Sequence, residues 1–425
     1  MHAIGDAIQG LGSACARVLY SAEQDPDPIL FLGVRGLFMD LQLQDRAMTS
    51  DFNRHYAEIA RILSHVISEQ GGPYVLVVWT DNPQHVDDLQ PYLSELFDAK
   101  PYLRPVAILP LSKTDYIDTD SGEAAGASLR EEILSILRRD GGVSALVQWE
   151  TEVLEGAARV TADLQKLARG WTDEKSVATL LRRLADEAVG AGNVEEDHRS
   201  AIHLALTPLL QDHLQAPLPT SDGAFPWADI FAEVPDVLPA LIKTQVAALN
   251  ASLHWIQKTN EYGVLPTAWG AVSKLEDAFD WTEFGLDDEA DYFANVVQKN
   301  VKGCPDRQAV AFQVLQIRIG AACDYAQKAS GPIPVALVGV LKARDEPRPR
   351  ELNPRSTSWL SPVLNISKEQ PVQFFIDPRF VRVRGSSAVA SFEVLGRLRE
   401  QLLLELVATV SQHGSRPGIV RFVEK

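Results

Sequence analysis

Cysteine is scarce in this chain. The three residues in 425, Cys15, Cys304 and Cys323, stand far apart and form no C-x-x-C pair. That spacing excludes a disulfide scaffold and a standard zinc knuckle, both of which need thiols close together. Long apolar runs are also missing. No stretch approaches the roughly 18 apolar residues of a membrane span, and the opening Met1-His2-Ala3-Ile4-Gly5-Asp6 has no basic segment followed by an apolar one. Neither a membrane segment nor a signal peptide is expected, and the sequence reads as cytoplasmic. Positive charge is in deficit: 40 Lys+Arg face 57 Asp+Glu, a formal net charge of −17. Such an excess argues against general binding to nucleic acid or to an anionic membrane. No G-x-G-x-x-G, P-loop, nucleophile elbow or metalloprotease signature occurs.

What is present suits a globular protein of two or three domains. Hydrophobic residues make up 46% of the chain, enough to fill sizeable cores. The charge is uneven. From Lys342 to Lys425 there are 14 Lys+Arg against 9 Asp+Glu, so the remainder carries −22. A basic end on an acidic body is either an interaction surface or, more ordinarily, a solvated face.

Periodicity organises the chain. Residues 4–19, 53–69 and 85–97 repeat apolar positions at helical spacing. Between them lie short apolar runs: Ile29–Leu32, Leu37–Leu43, Tyr74–Trp79 and 105–110. The run Tyr74–Trp79 is unbroken, the pattern of a strand buried on both faces. Strands alternating with helices predict a parallel, doubly wound α/β sheet. Residues 119–128 read as a linker, and 129–300 as a mainly helical region. The predicted helices there include 144–168, 175–189, 198–214, 237–259 and 288–299. From about Phe312 the pattern turns to alternating strands, at 314–319, 335–340, 363–366, 372–376 and 380–383, closed by a helix over 392–411. The span 301–425 is therefore expected to be an α+β domain.

Three polar residues follow the ends of successive strands in the first 118 residues. Asp40 closes Gly36-Leu37-Phe38-Met39, Thr80 closes Tyr74–Trp79, and Lys113 follows the strand at 105–110 and Leu111-Ser112. In a parallel sheet all three meet at the carboxyl edge, where such folds place their sites. In this respect the segment resembles the receiver domain of two-component signalling, a flavodoxin-like fold. The resemblance implies Asp40 as phospho-acceptor, Thr80 as the hydroxyl that senses the phosphoryl group and Lys113 as the cation that pairs with it. Two departures stand out. Thr114 occupies the place where receivers usually carry proline, and the acidic pair that holds Mg²⁺ on the first strand has no counterpart. Asp6 is the only acid in the first 22 residues. Either the receiver is degenerate and serves as a binding platform, or a strand precedes Met1. Mg²⁺ is expected only if an upstream acidic pair exists, and no other cofactor is expected.

The resemblance implies a bacterial regulatory protein with a protein partner, a kinase or an effector, in a stress or phage-defence system. Residues 301–425 would be its output or partner-binding module. An alternative makes this domain a hydrolase- or nuclease-like effector gated by the first. Its candidates are Cys323 and Asp324 after a strand, with His413 as the histidine within possible reach. A free cysteine acting as a small apolar side chain is the commoner case. Arg382 and Arg384 share one face of a strand and form a candidate anion site, against the plainer reading of a solvated face. His198 and His203 are wrongly spaced for one metal site, and the eight Trp are scattered as core residues are.

Overall fold

The computed structural model describes residues 24–43, 52–116, 141–169, 176–190, 197–215, 238–259, 263–321, 331–343, 349–366 and 371–414, with a few isolated positions besides. The chain divides into two compact units. One is Met1–Val160 with Asp212–Asp236; the other is Thr161–Gln211 with Val237–Lys425.

The first unit is built on three parallel strands, β1 (Gly36–Asp40), β2 (Val75–Thr80) and β3 (Ala107–Ser112), in the order β1-β2-β3. Every residue of β2 is buried, as its unbroken apolar sequence requires. Helix α1 (Phe52–Val66) fills the core from one side. Its Ile59, Leu63 and Val66 recur at helical spacing and pack with Leu76 and Val78 of β2. Burying each such side chain stabilises the fold by about 1.5–3 kcal/mol. Helix α2 (Leu89–Leu96) adds Leu89 and Leu93 to the same cluster.

At the amino edge of this sheet, Arg35 ties several elements together. Its guanidinium donates to Val34 O and Gly71 O and grips Glu150 of the long helix α3 (Gly141–Arg169), with Nε 2.9 Å from Oε2. Gly72, at φ +77°, lets the guanidinium lie this close, since a Cβ there would sit 3.1 Å from its nitrogens. Ile29–Leu32, expected as a strand, is instead a 3₁₀ turn over Pro28–Phe31. Asp27 Oδ1 accepts the Ile29 N–H at 3.0 Å and Pro28 starts the turn, so local capping prevails over the apolar run.

The second unit contains helices α4 (Ser176–Val189) and α5 (His198–Gln215, up to its division at Gln211). It also holds α6 (Lys243–His254) and a curled antiparallel sheet of eight strands. The strands are β4 (Trp255–Gln257), β5 (Ala271–Lys274), β6 (Gln313–Arg318), β7 (Ile333–Lys342), β8 (Trp359–Leu360), β9 (Val372–Ile376), β10 (Val381–Arg384) and β11 (Val394–Leu398). They run in the order β4-β11-β5-β6-β7-β9-β8, with β10 also paired to β7. Period-two alternation sorts their side chains. Ile317, Ala336, Val338 and Phe374 face the core shared with Leu402, Leu403 and Leu406 of the last helix, α8 (Glu400–Gly414). Leu337, Leu341 and Phe375 face Tyr292, Phe293 and Val297. These last three sit on α7 (Glu289–Tyr292) and the π-helical turn that continues it, Phe293–Val297.

Two strands lie where a helix was expected, and a third where no strand was. The helix predicted over 237–259 stops at His254, and β-branched and aromatic Trp255-Ile256 begin β4. The segment Ala271–Lys274, with no strand expected, forms β5. The helix predicted over 392–411 begins at Glu400, because Val394, Gly396 and Leu398 alternate inward as β11. Gly396 is required there: a Cβ would stand 2.3 Å from the Trp255 ring and 2.4 Å from Ile256 O. The expected strand at 363–366 is reduced to a single bridge, Leu364–Val372. No helix among the described residues is long and apolar enough to cross a membrane.

Candidate functional site

Register decides which side chains meet at the carboxyl edge of the parallel sheet. Asp40 is level with Trp79, and Thr80 with Ser112, so Asp40, Thr80 and Lys113 leave three adjacent strands at about one height. Lys113 opens a short helical turn, Lys113–Tyr116, immediately after β3. Its Nζ lies 2.5 Å from Asp40 Oδ2, reaching past the end of β2. The other carboxylate oxygen, Oδ1, accepts the Gln42 N–H at 3.0 Å and fixes the chain as it leaves β1. The Asp40 side chain is 29% exposed and that of Lys113 18%, so the pair is reachable from solvent. Thr80 is 1% exposed, and its Oγ1 accepts the Asn82 N–H at 3.0 Å.

The sequence-derived triad is thus assembled around one ion pair. Among the described residues no group of three His, Cys, Asp or Glu side chains is arranged to hold a metal ion. A groove of about 380 Å³ on this unit opens elsewhere, between Ala60 and Ser64 of α1 and Tyr92 and Leu96 of α2.

The candidates of the second unit are described only in part. Cys323 and Asp324 lie outside the described residues. His413 lies in the last turn of α8, and its Nδ1 is buried without a hydrogen bond from the described residues. Arg382 and Arg384 do share a strand face, and two glutamates engage them. Arg382 Nη2 donates to Glu276 Oε2 at 2.8 Å and to Gln316 Oε1 at 2.9 Å, and its guanidinium lies 4.3 Å from the centre of the Phe279 ring. Arg384 reaches Glu283 Oε1 at 3.5 Å and Glu276 Oε2 at 3.8 Å. Two guanidiniums and two carboxylates compensate one another, and an incoming anion would have to displace Glu276 or Glu283. The segment bearing these acids, from Glu276 just after β5 to Glu283 within the turn at Trp281–Phe284, gave no sequence signal beyond acids flanking an aromatic pair.

Sequence reading missed a second buried polar cluster. Between the pairs Gly339–Phe375 and Ala336–Val381 the outer strand takes three more steps than β7, so residues 377–380 bulge. The bulge turns Asp377 inward, where its side chain is 2% exposed. Burial pushes its carboxyl up, but the Arg379 guanidinium and N–H, with the Ser358 hydroxyl, outweigh that and hold it below the ordinary carboxylate value. Beside it, Tyr292 is fully buried among Trp281, Phe312 and Phe380. Burial, with the nearby Asp377 charge, drives its phenol far above the usual tyrosine value. Its hydroxyl has no hydrogen-bond partner among the described residues.

No family model matches this chain, and no curated protein or solved structure is similar to it.

Proposed function

We propose that this is a signalling or regulatory protein whose first unit is a degenerate, flavodoxin-like response receiver. One observation carries the reading: at the carboxyl ends of three adjacent parallel strands stand, in strand order, Asp40, Thr80 and, one residue past β3, Lys113, and the lysine closes on the aspartate. An acceptor carboxylate, a hydroxyl and a cation in that order are what a receiver uses to take, sense and neutralise a phosphoryl group. In this chain Asp40 answers Lys113 directly, and the edge acts as a standing charge pair that a protein partner, a kinase or an effector, reads. The second unit is the output or partner-binding module, in a bacterial stress or phage-defence setting.

The chemistry sets a test. Phosphoryl transfer to a carboxylate brings like charges together, and a divalent ion held by further carboxylates offsets that repulsion. Asp40 has no such carboxylate pair among the described residues. Incubation with a small phosphodonor and Mg²⁺, followed by intact mass measurement, is expected to give no mass gain. A gain that Asp40→Ala abolishes would make this a conventional phospho-accepting receiver and overturn the degenerate reading.

A further inference from the structure

A surface helix ordinarily buries its large aliphatic side chains and exposes its small and polar ones. Helix α6 does the reverse. Its buried side chain is Ala247, and the Ala247 carbonyl accepts the Asn365 N–H at 3.2 Å. Ala251, half-buried, packs against the edge of the core, and polar residues add further attachments. Lys243 Nζ donates to Ala343 O at 3.2 Å, and Asn250 Nδ2 to Val363 O at 3.0 Å. Meanwhile Ile242, Leu249 and Leu253 stay 63%, 51% and 62% exposed, and Leu238 and Leu241 just before the helix 67% and 50%. With half-buried Val246, the positions 242, 246, 249 and 253 step by four, three and four, the spacing of an apolar seam made for another helix.

The size of the patch is informative. Five aliphatic side chains, each half exposed or more, present roughly 500 Å² of apolar surface, near the top of the range for the largest patch on a monomer. Two such patches face to face would remove about 1,000 Å² from water, the lower bound of a specific interface. Charge narrows the choice of occupant. Two chains of net charge −17 repel over most of their surfaces. From Val237 to Asn260, however, there is no Asp or Glu, and the charged residues are Lys243 and Lys258. With no carboxylate along the seam, the repulsion between two acidic chains is weakest there, and a second copy can approach.

We propose that the α6 seam is a self-association surface, and that its occupant is the same seam of a second copy of this chain. A two-fold axis suits it, because each aliphatic residue then meets another and no charge is buried unpaired. The inference rests on the second unit alone and is independent of the reading of Asp40.

Sedimentation equilibrium of the full chain tests it, from micromolar to sub-millimolar concentration. The expected result is a dimer fraction that rises with concentration. The double variant Leu249→Glu/Leu253→Glu should remain monomeric with unchanged circular dichroism and melting temperature. Leu154→Glu, at a 71% exposed leucine of α3, should dimerise like the parent. A second arm covers loss of folding in the double variant. Leu249→Cys under mild oxidation should give disulfide-linked dimers in higher yield than Leu154→Cys. A parent chain that stays monomeric at the highest concentration overturns the proposal. So does a folded double variant that still dimerises, or a Leu249→Cys chain that cross-links no better than Leu154→Cys.

Discussion

Lys113 Nζ meets Asp40 Oδ2 at 2.5 Å although their strands, β3 and β1, are held apart by the whole width of β2. The long lysine side chain makes this contact possible, because β2 ends in a small residue, Thr80, that leaves the way open. The pair therefore ties the outer strands of the sheet to each other over the end of the central one.

That tie has a measurable strength. Both partners are partly exposed, so water screens the attraction. A double-mutant cycle of Asp40→Ala and Lys113→Ala should give a coupling of about 1 kcal/mol that shrinks in high salt. A coupling indistinguishable from zero at low salt would mean that the pair contributes nothing to the sheet.

Asp377 should make stability fall in acid. Its folded-state carboxyl is held below the unfolded value of about 3.9, so its contribution is present above that value and is lost as the pH falls through the lower, folded one. Asp377→Asn should cost about 2 kcal/mol at neutral pH and flatten the loss of stability below about pH 4. Denaturant titrations of both chains across that window check the sign; parallel curves would contradict it.

Gly396→Ala tests the identity of β11. A methyl group there collides with the Trp255 ring and with the Ile256 carbonyl, neither of which is the free end of a flexible side chain. The substitution should cost about 1–3 kcal/mol and lower the melting temperature. A helix in this region would tolerate alanine, or gain from it.

Tyr292→Phe should be nearly silent or slightly stabilising. The phenol is desolvated without a hydrogen bond from the described residues, so its removal relieves a cost. A loss of more than about 1 kcal/mol in urea unfolding would show that a bound water or another group completes the hydroxyl.

The sequence was most legible where one residue's neighbours settle its state. β2 announces itself through Tyr74–Trp79, α1 through its apolar repeat, and the carboxyl-edge residues follow from where those strands stop. It was least legible where a distant partner decides. Val394–Leu398 carries as much helical as strand character, and the ring of Trp255 above Gly396 resolves it. Ala271–Lys274 is too short for a period to show, and it is a strand because Val272 lies against Ile317. The same holds for the polar sites. Asp40 and Lys113 could be named in advance because strand ends converge in a parallel sheet. The ties of Arg382 and Arg384 to Glu276 and Glu283 come from a loop folding back over the sheet face, and neither periodicity nor spacing encodes that return.

The position of β11 carries a consequence for how the second unit is made. β11 lies between β4 and β5, pairing Leu398 with Trp255 and Arg397 with Ala271. As the chain leaves the ribosome, β4 and β5 emerge early and must wait with bare backbone edges until more than a hundred further residues have been added. Contacts so distant in sequence close slowly, and an unpaired edge in that interval is open to other chains. Completion of this sheet is therefore a late event in synthesis, and the interval before Val394–Leu398 arrives is when the protein is most exposed to misassembly.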